Sequence, residues 1–242
     1  MTTSRDERVP ATDLTVLLDR ATALAARRPG GGPGPDDGGD GDHGAAVLGI
    51  AGPPGSGKTT LALAVVAAVA ARIGPAAVRH VPMDGFHLAD VELERLGRRD
   101  RKGGVDTFDP AGYAALLGRI RAGAAHIVYA PAFERDIEQP IAGAIAILPG
   151  TRLVVTEGLY LLGDGPWSAV RELLDETWFV DLTQSRRTTR LLERHQLFGK
   201  TDRAAAEWVQ RVDGPNAVRV EASRGRADVL VAGDLDLDPP DG

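Results

Sequence analysis

The sequence predicts an α/β fold in which a mostly parallel sheet is covered by helices on both faces. Three observations lead there. From Ala45 onward, strand-like apolar runs alternate with segments of helical periodicity, the pattern of strands joined by crossover helices. The runs Ala46–Ala51 and Leu153–Thr156 read as strands buried on both faces. Between the first run and a helix lies Gly52–Thr59, which fits G-x-x-x-x-G-K-[ST]. In such sheets ligands bind beyond the carboxyl ends of the strands, so strand-end residues are the ones to inspect.

The elements follow in order. Leu14, Leu17, Leu18, Ala21, Leu24 and Ala25 form an i, i+3, i+4, i+7 stripe, so residues 1–28 hold an amphipathic helix that docks as an appendage. Residues 29–44 are rich in Gly, Pro and Asp and read as a flexible linker. Residues 45–231 form the main domain, and 232–242 an acidic tail. Within the domain, Leu61, Val65, Val69 and Ile73 mark one helix face, stopped by Gly74-Pro75. Val78–Met83 is a second strand, and Pro110 to Arg121 a helix capped by Asp109. His126–Ala130 and Ile145–Leu148 are short strands, Trp178–Leu182 another, and Asp228–Val231 the last. Arg186–His195 and Ala204–Val212 read as helices, the first as a lid.

The glycine-rich segment implies phosphate. Gly52, Gly55 and Gly57, with Pro53, Pro54 and Ser56 between them, let successive backbone N–H groups turn inward. The helix that follows adds its positive N-terminal end. Lys58 reaches the β- and γ-phosphates and the Thr59 hydroxyl binds Mg²⁺, with Thr60 beside them. This is a nucleotide site of the P-loop NTPase type.

Composition narrows the rest. The chain has 242 residues and no cysteine, which excludes disulfides and thiolate metal sites. The N-terminus lacks an apolar signal core, and the longest apolar run, Leu61–Ala71, is far short of the ~20 residues a membrane span needs. A cytoplasmic protein without membrane contact is expected. The net charge is −6, but Pro29–Gly44 and Ala232–Gly242 each hold four Asp and no Lys or Arg, so the body carries +2 and can receive an anionic nucleotide. The basic run Arg95–Gly104 has no interleaved aromatics, which speaks against nucleic acid.

Two carboxylates stand at strand ends: Asp84 in VPMDGFHLAD and Glu157 in LVVTEGLYLL. If both strands neighbour the first, these groups converge near the γ-phosphate, one to take a hydroxyl proton and one to order Mg²⁺. Taken with GPPGSGKTT, DGFH at Asp84–His87, RKGGVDTFD at Arg101–Asp109 and EGLYLL at Glu157–Leu162, the chain resembles the P-loop kinases of the phosphoribulokinase, uridine kinase and type I pantothenate kinase group. Within that group it is similar to nucleoside/nucleotide kinase-like and fructose-transport-system kinase-like proteins. The resemblance spans about Ala46 to Val231. It implies ATP and Mg²⁺ as cofactors, a small-molecule acceptor such as a nucleoside, a pantothenate-like molecule or a sugar, and a homodimer as an assembly the group admits. It makes Asp84 the general base, with Lys58 and the lid arginines Arg190 and Arg194 as further catalytic groups. Phe86, His87, Arg101, Lys102, Phe133 and Arg135 become acceptor contacts beside Asp84, with Thr59 and Glu157 at the metal. After DGF the chain runs His-Leu-Ala-Asp, where pantothenate kinases carry a Leu-Tyr-Pro-Asn type of sequence.

The rival reading is a regulatory P-loop NTPase that hydrolyses nucleotide to drive a conformational switch. It needs an Asn/Thr-Lys-x-Asp guanine reader, and Gly199-Lys200-Thr201-Asp202 lacks the first residue. Asp109-Pro110-Ala111-Gly112 matches D-x-x-G without a preceding apolar strand. A binding protein with a dead site is countered by the presence of Lys58, Thr59, Asp84 and Glu157.

Overall fold

A computed structural model describes residues 10–11, 13–27, 44–123 and 125–234. The expected linker, apart from Gly44, and the tail beyond Asp234 lie outside them. Among the described residues, six strands form one all-parallel sheet: β1 Pro10–Ala11, β2 Ala46–Ala51, β3 Val78–His80, β6 Leu153–Gly158, β7 Glu176–Asp181 and β8 Val229–Ala232, in the spatial order β1-β8-β7-β2-β6-β3. The remaining two, β4 Val128–Glu134 and β5 Gln139–Ile147, form a separate antiparallel hairpin. The helices are α1 Leu14–Ala26, α2 Lys58–Ile73, α3 Asp90–Arg95, α4 Pro110–Ala122, α5 Ser168–Arg171, α6 Gln184–Leu197, α7 Asp202–Trp208 and α8 Gly214–Glu221.

Strand alternation sends the residues of β2 into two cores. Val47 and Ala51 pack with Tyr113, Leu117 and Ile120 of α4 and with Trp167. Ala46, Leu48 and Ile50 pack with Leu61, Val65 and Val69 of α2 on the other face. The period of two thus explains why a central strand carries apolar residues throughout. α1 belongs to this second core: Leu17, Ala21, Leu24 and Ala25 are buried there. Arg20 also pairs with the buried Glu176 of β7, whose Oε1 accepts the Trp178 indole N–H at 2.7 Å. The helix is therefore built into the domain and is more than an appendage.

Several sequence expectations are corrected. β3 ends at His80 rather than Met83, because Pro82 has no N–H for the ladder; Met83–Phe86 is a short 3₁₀ turn. β3 does not neighbour β2; β6 lies between them, pairing Glu157 with Ile50. The runs at His126–Ala130 and Ile145–Leu148 fall at the base of the hairpin, not in the main sheet, and the strands extend to Glu134 and Gln139. Pro131 sits at the register shift between Ala130 and Ala132, as a residue without a ladder donor does. Beyond α7 the chain makes a π-helical turn, Val209–Asp213, and then α8, which the sequence reading missed.

Candidate active site

The P-loop closes the carboxyl end of β2. Gly57 holds φ 95° as the N-cap of α2, and Gly55 holds φ 75°, both left-handed conformations that disfavour a side chain. A cavity of about 510 Å³ opens over Gly55–Leu61 and is bounded by Arg190, Arg194 and Gly233. The Pro53 carbonyl accepts the Ser56 N–H at 3.2 Å, tightening the loop. Lys58 stands at the first position of α2; burial lowers its pKa, and Glu157 and Asp84 oppose that shift.

A second, larger cleft of about 900 Å³ lies alongside. Lys58, Thr59, Arg135 and Arg194 line both cavities and so mark where they join. Asp84, His87, Lys102, Phe133 and Glu157 also line the second cleft. Glu157 is 4% exposed, and its Oε1 accepts the Thr59 hydroxyl at 3.0 Å. Burial pushes its pKa up to about 7; Lys58 acts against this and Asp84 reinforces it. The guanidinium of Arg135, on the turn of the hairpin, comes within 3.9 Å of Asp84 Oδ2.

The DGFH segment and the hairpin meet through Gly85. A Cβ there would lie 2.4 Å from the Pro131 carbonyl oxygen, so only glycine allows the hairpin to approach this closely. His87 is sandwiched, with its ring centroid 4.0 Å from that of Phe108 and 4.8 Å from that of Phe133. Its Nδ1 lies 2.8 Å from the Asp84 carbonyl oxygen. A carbonyl only accepts, which assigns the proton to Nδ1. Burial lowers the His87 pKa, so the ring is neutral and Nε2 is left as a hydrogen-bond acceptor.

No protein-family model matches the chain. It is 39% identical over 134 residues to "ATP-dependent kinase-like protein notR'" from Aspergillus versicolor, covering 52% of this chain and 78% of that one. It is 32% identical over 192 residues to "Putative uridine kinase C227.14" from Schizosaccharomyces pombe, covering 76% and 82%. The crystal structure of a "putative fructose transport system kinase" from Silicibacter sp. TM1040 superposes with a TM-score of 0.76 at 32% identity, over 90% of this chain and 98% of that one. The chain belongs to the P-loop small-molecule kinases of the phosphoribulokinase, uridine kinase and pantothenate kinase group. It is an ATP-dependent phosphotransferase of the kind that uses an alcohol group as acceptor.

Not every residue singled out from the sequence of this kinase faces the clefts. Phe86 packs its ring on Tyr113, centroids 4.7 Å apart, and is absent from the cleft wall. Arg101 is held by Asp106 at 3.0 Å and is likewise outside the cleft wall. Lys102 does line the cleft, but its ammonium is bound by Asp90 at 2.5 Å and by the Glu138 carbonyl. On α6, Arg190 and Arg194 face the cavities, while Arg187 is buried against Glu221 and the Leu182 carbonyl. The sequence reading missed His195, Trp208, Asp213 and Asn216, which form the far wall of the larger cleft. Their spacing matches no motif, and a contact across the π-helical turn leaves no periodic trace.

Proposed function

We propose that this kinase transfers the γ-phosphoryl group of ATP to a hydroxyl of a small metabolite, with Asp84 as the general base. The observation that carries the reading is the position of Asp84 in the larger cleft, which joins the nucleotide cavity at Lys58, Thr59, Arg135 and Arg194. An acceptor in that cleft presents its hydroxyl between a carboxylate and the phosphates. Asp84 takes the hydroxyl proton as the oxygen bonds to the γ-phosphorus, and the bond to the β-phosphate oxygen breaks, releasing ADP. Lys58 and the P-loop N–H groups hold the phosphates; Arg190 and Arg194 face the same cavity and offset charge as it spreads over the transferring group.

The residues present fit Mg²⁺. Thr59 Oγ1 and Glu157 Oε1 are hard oxygen donors 3.0 Å apart, and the described residues contain no cluster of three metal-ligating side chains. That donor set suits an ion brought in by nucleotide phosphates rather than one caged by protein. Thr59 and Glu157 would hold the ion, which when bound would offset the charge of the nucleotide phosphates. None of the described helices is long and apolar enough to cross a membrane.

The test is ADP release with ATP, Mg²⁺ and a panel of hydroxylated metabolites. Acceptor-dependent release that disappears in Lys58→Ala supports the reading. Release that needs no acceptor would instead identify a hydrolytic switch, and full activity in Lys58→Ala would overturn the nucleotide site.

A pH dependence follows from Glu157. Below pH about 7 its carboxyl is protonated, and holding a cation there requires that proton to leave. Mg²⁺–ATP affinity is expected to weaken as pH falls through 7, approaching about tenfold per unit where one proton is displaced. Glu157→Gln should flatten that slope. Calorimetry in buffers of differing ionisation enthalpy measures the released proton directly.

A further inference from the structure

Five of the described residues line both the nucleotide cavity and the larger cleft: Lys58, Thr59, Arg135, Arg194 and Phe198. Four of them carry polar groups that suit phosphate or metal. The fifth is a phenylalanine, 52% exposed, whereas Phe108 and Phe179 are buried and Phe86 and Phe133 half-buried. An apolar ring thus stands in water at the point where the phosphoryl group would cross.

The run Leu197-Phe198-Gly199-Lys200 puts it there. Gly199 takes φ 84°, and α6 closes with the Gly199 N–H on the Gln196 carbonyl at 2.9 Å and the Lys200 N–H on the His195 carbonyl at 3.0 Å. Such a closure ends a helix at the residue before its glycine, here Phe198. The Phe198 N–H reaches the Arg194 carbonyl at 3.1 Å, so Arg190, Arg194 and Phe198 lie one turn apart along one stripe of α6. Arg190 lines the nucleotide cavity alone, and its guanidinium donates to the Gly233 carbonyl at 3.3 Å. α6 therefore leads from the nucleotide cavity to the junction, where Arg194 and Phe198 stand. The flank of this last turn is anchored. His195 Nε2 lies 2.9 Å from Asp213 Oδ2 on the π-helical turn, both side chains nearly buried, and the Lys200 ammonium sits 5.1 Å over the Trp208 ring.

Water competes with any acceptor hydroxyl. Its oxygen can bond to the γ-phosphorus while the bond to the β-phosphate oxygen breaks and its proton passes to Asp84, giving ADP and inorganic phosphate. Each polar group at the junction holds water by a hydrogen bond, and a phenyl ring has no donor or acceptor to do so. We propose that Phe198 decides between acceptor and water: its ring covers the junction of the two cavities and keeps water off the γ-phosphate, so that ATP hydrolysis stays low until an acceptor fills the larger cleft. This rests on the phosphotransfer reading above and adds to it. His195 and Asp213 are positioning residues, which hold the turn that carries the ring.

The experiment is ADP and inorganic phosphate release from the full chain with ATP and Mg²⁺ and no acceptor, water itself being the probe. Phe198→Ala should raise that release about tenfold or more, while the KM for ATP stays level. Phe198→Leu, which keeps apolar bulk, should stay near the wild-type rate. Adding Lys58→Ala to Phe198→Ala should abolish the gain, which ties it to this site. With a metabolite from the panel above that is turned over, Phe198→Ala should also lower the share of ATP that ends on the acceptor. A ring half in water can be cut back without unfolding the chain, and an unchanged thermal melt shows it. Acceptor-free release that is unaltered in Phe198→Ala, or that rises as much in Phe198→Leu, overturns the proposal and leaves the kinase reading standing. A raised KM for ATP with no gain in hydrolysis would seat the ring on the nucleotide and overturn it as well. Rapid wild-type release that needs no acceptor would remove the phosphotransfer reading, and this inference with it.

Discussion

Asp84→Asn should abolish phosphoryl transfer while sparing nucleotide binding. The amide keeps the size of the carboxylate but takes no proton, so the acceptor hydroxyl loses its base. Removing a general base typically costs ~10²–10⁴ in rate, about 3–5 kcal/mol of barrier. ATP affinity should hold, because Asp84 lies in the larger cleft and does not line the cavity over Gly55–Leu61. The check is a pair of measurements, ATP binding by calorimetry and transfer by ADP release, with Glu157→Gln beside it. Glu157 is bonded to Thr59, so its variant should weaken Mg²⁺–ATP binding and turnover together. Full transfer by Asp84→Asn would end the general-base assignment. A parallel loss of ATP affinity would move Asp84 to the metal.

A chain that starts at Ala45 should lose most of its stability. Without α1 the buried side chains Leu17 and Leu24, together with Ala21 and Ala25, vacate the core they share with α2. At about 1.5–3 kcal/mol per buried leucine, the two leucines alone approach the lower end of the ~5–15 kcal/mol that holds a domain folded. Electrostatics adds to the loss. Glu176, 4% exposed, would keep its bond to Trp178 but lose Arg20, leaving a buried carboxylate without its cation. The damage would reach the P-loop, because α2 begins at Lys58. Thermal unfolding of the truncated chain reads the effect, and Leu24→Ala gives a milder version, a loss of about 2–5 kcal/mol. A truncated chain that melts with the full one would mean that α1 contributes little to this core.

What was legible in the sequence tracks how locally each feature is determined. β2 was read to the residue, because a strand buried on both faces is bounded by its own apolar run. α2 was read from the spacing of Leu61, Val65, Val69 and Ile73 and from the Gly74-Pro75 stop, and α4 from its Asp109 cap and Pro110. β5 was read only at its end, because Gln139–Ile147 is mostly exposed or half-buried and carries Pro140 and Gly143. α8 was missed because Gly214-Pro215 reads as a breaker, whereas here it starts a helix after a wide turn. Strand order is a property of the whole sheet, so the insertion of β6 between β2 and β3 left no local mark. The site divides in the same way. The P-loop is a contiguous motif and was found entire, but the His195–Asp213 contact joins residues on different elements that no spacing rule connects.

The hairpin of β4 and β5 hangs outside the parallel sheet, yet it delivers Phe133 and Arg135 to the cleft. Its ladder hydrogen bonds are its own, and it leans on the DGFH turn where Gly85 meets Pro131. Nothing in the register of β2, β6 and β7 depends on the identity of the residues at its tip. If the hairpin tip reads the acceptor, as the proposed function has it, part of that reading surface is editable apart from the sheet. On the proposed function, a lineage of such chains can vary Phe133, which lines only the larger cleft, and try a new acceptor, while Arg135, which lines the nucleotide cavity as well, stays with the phosphate grip.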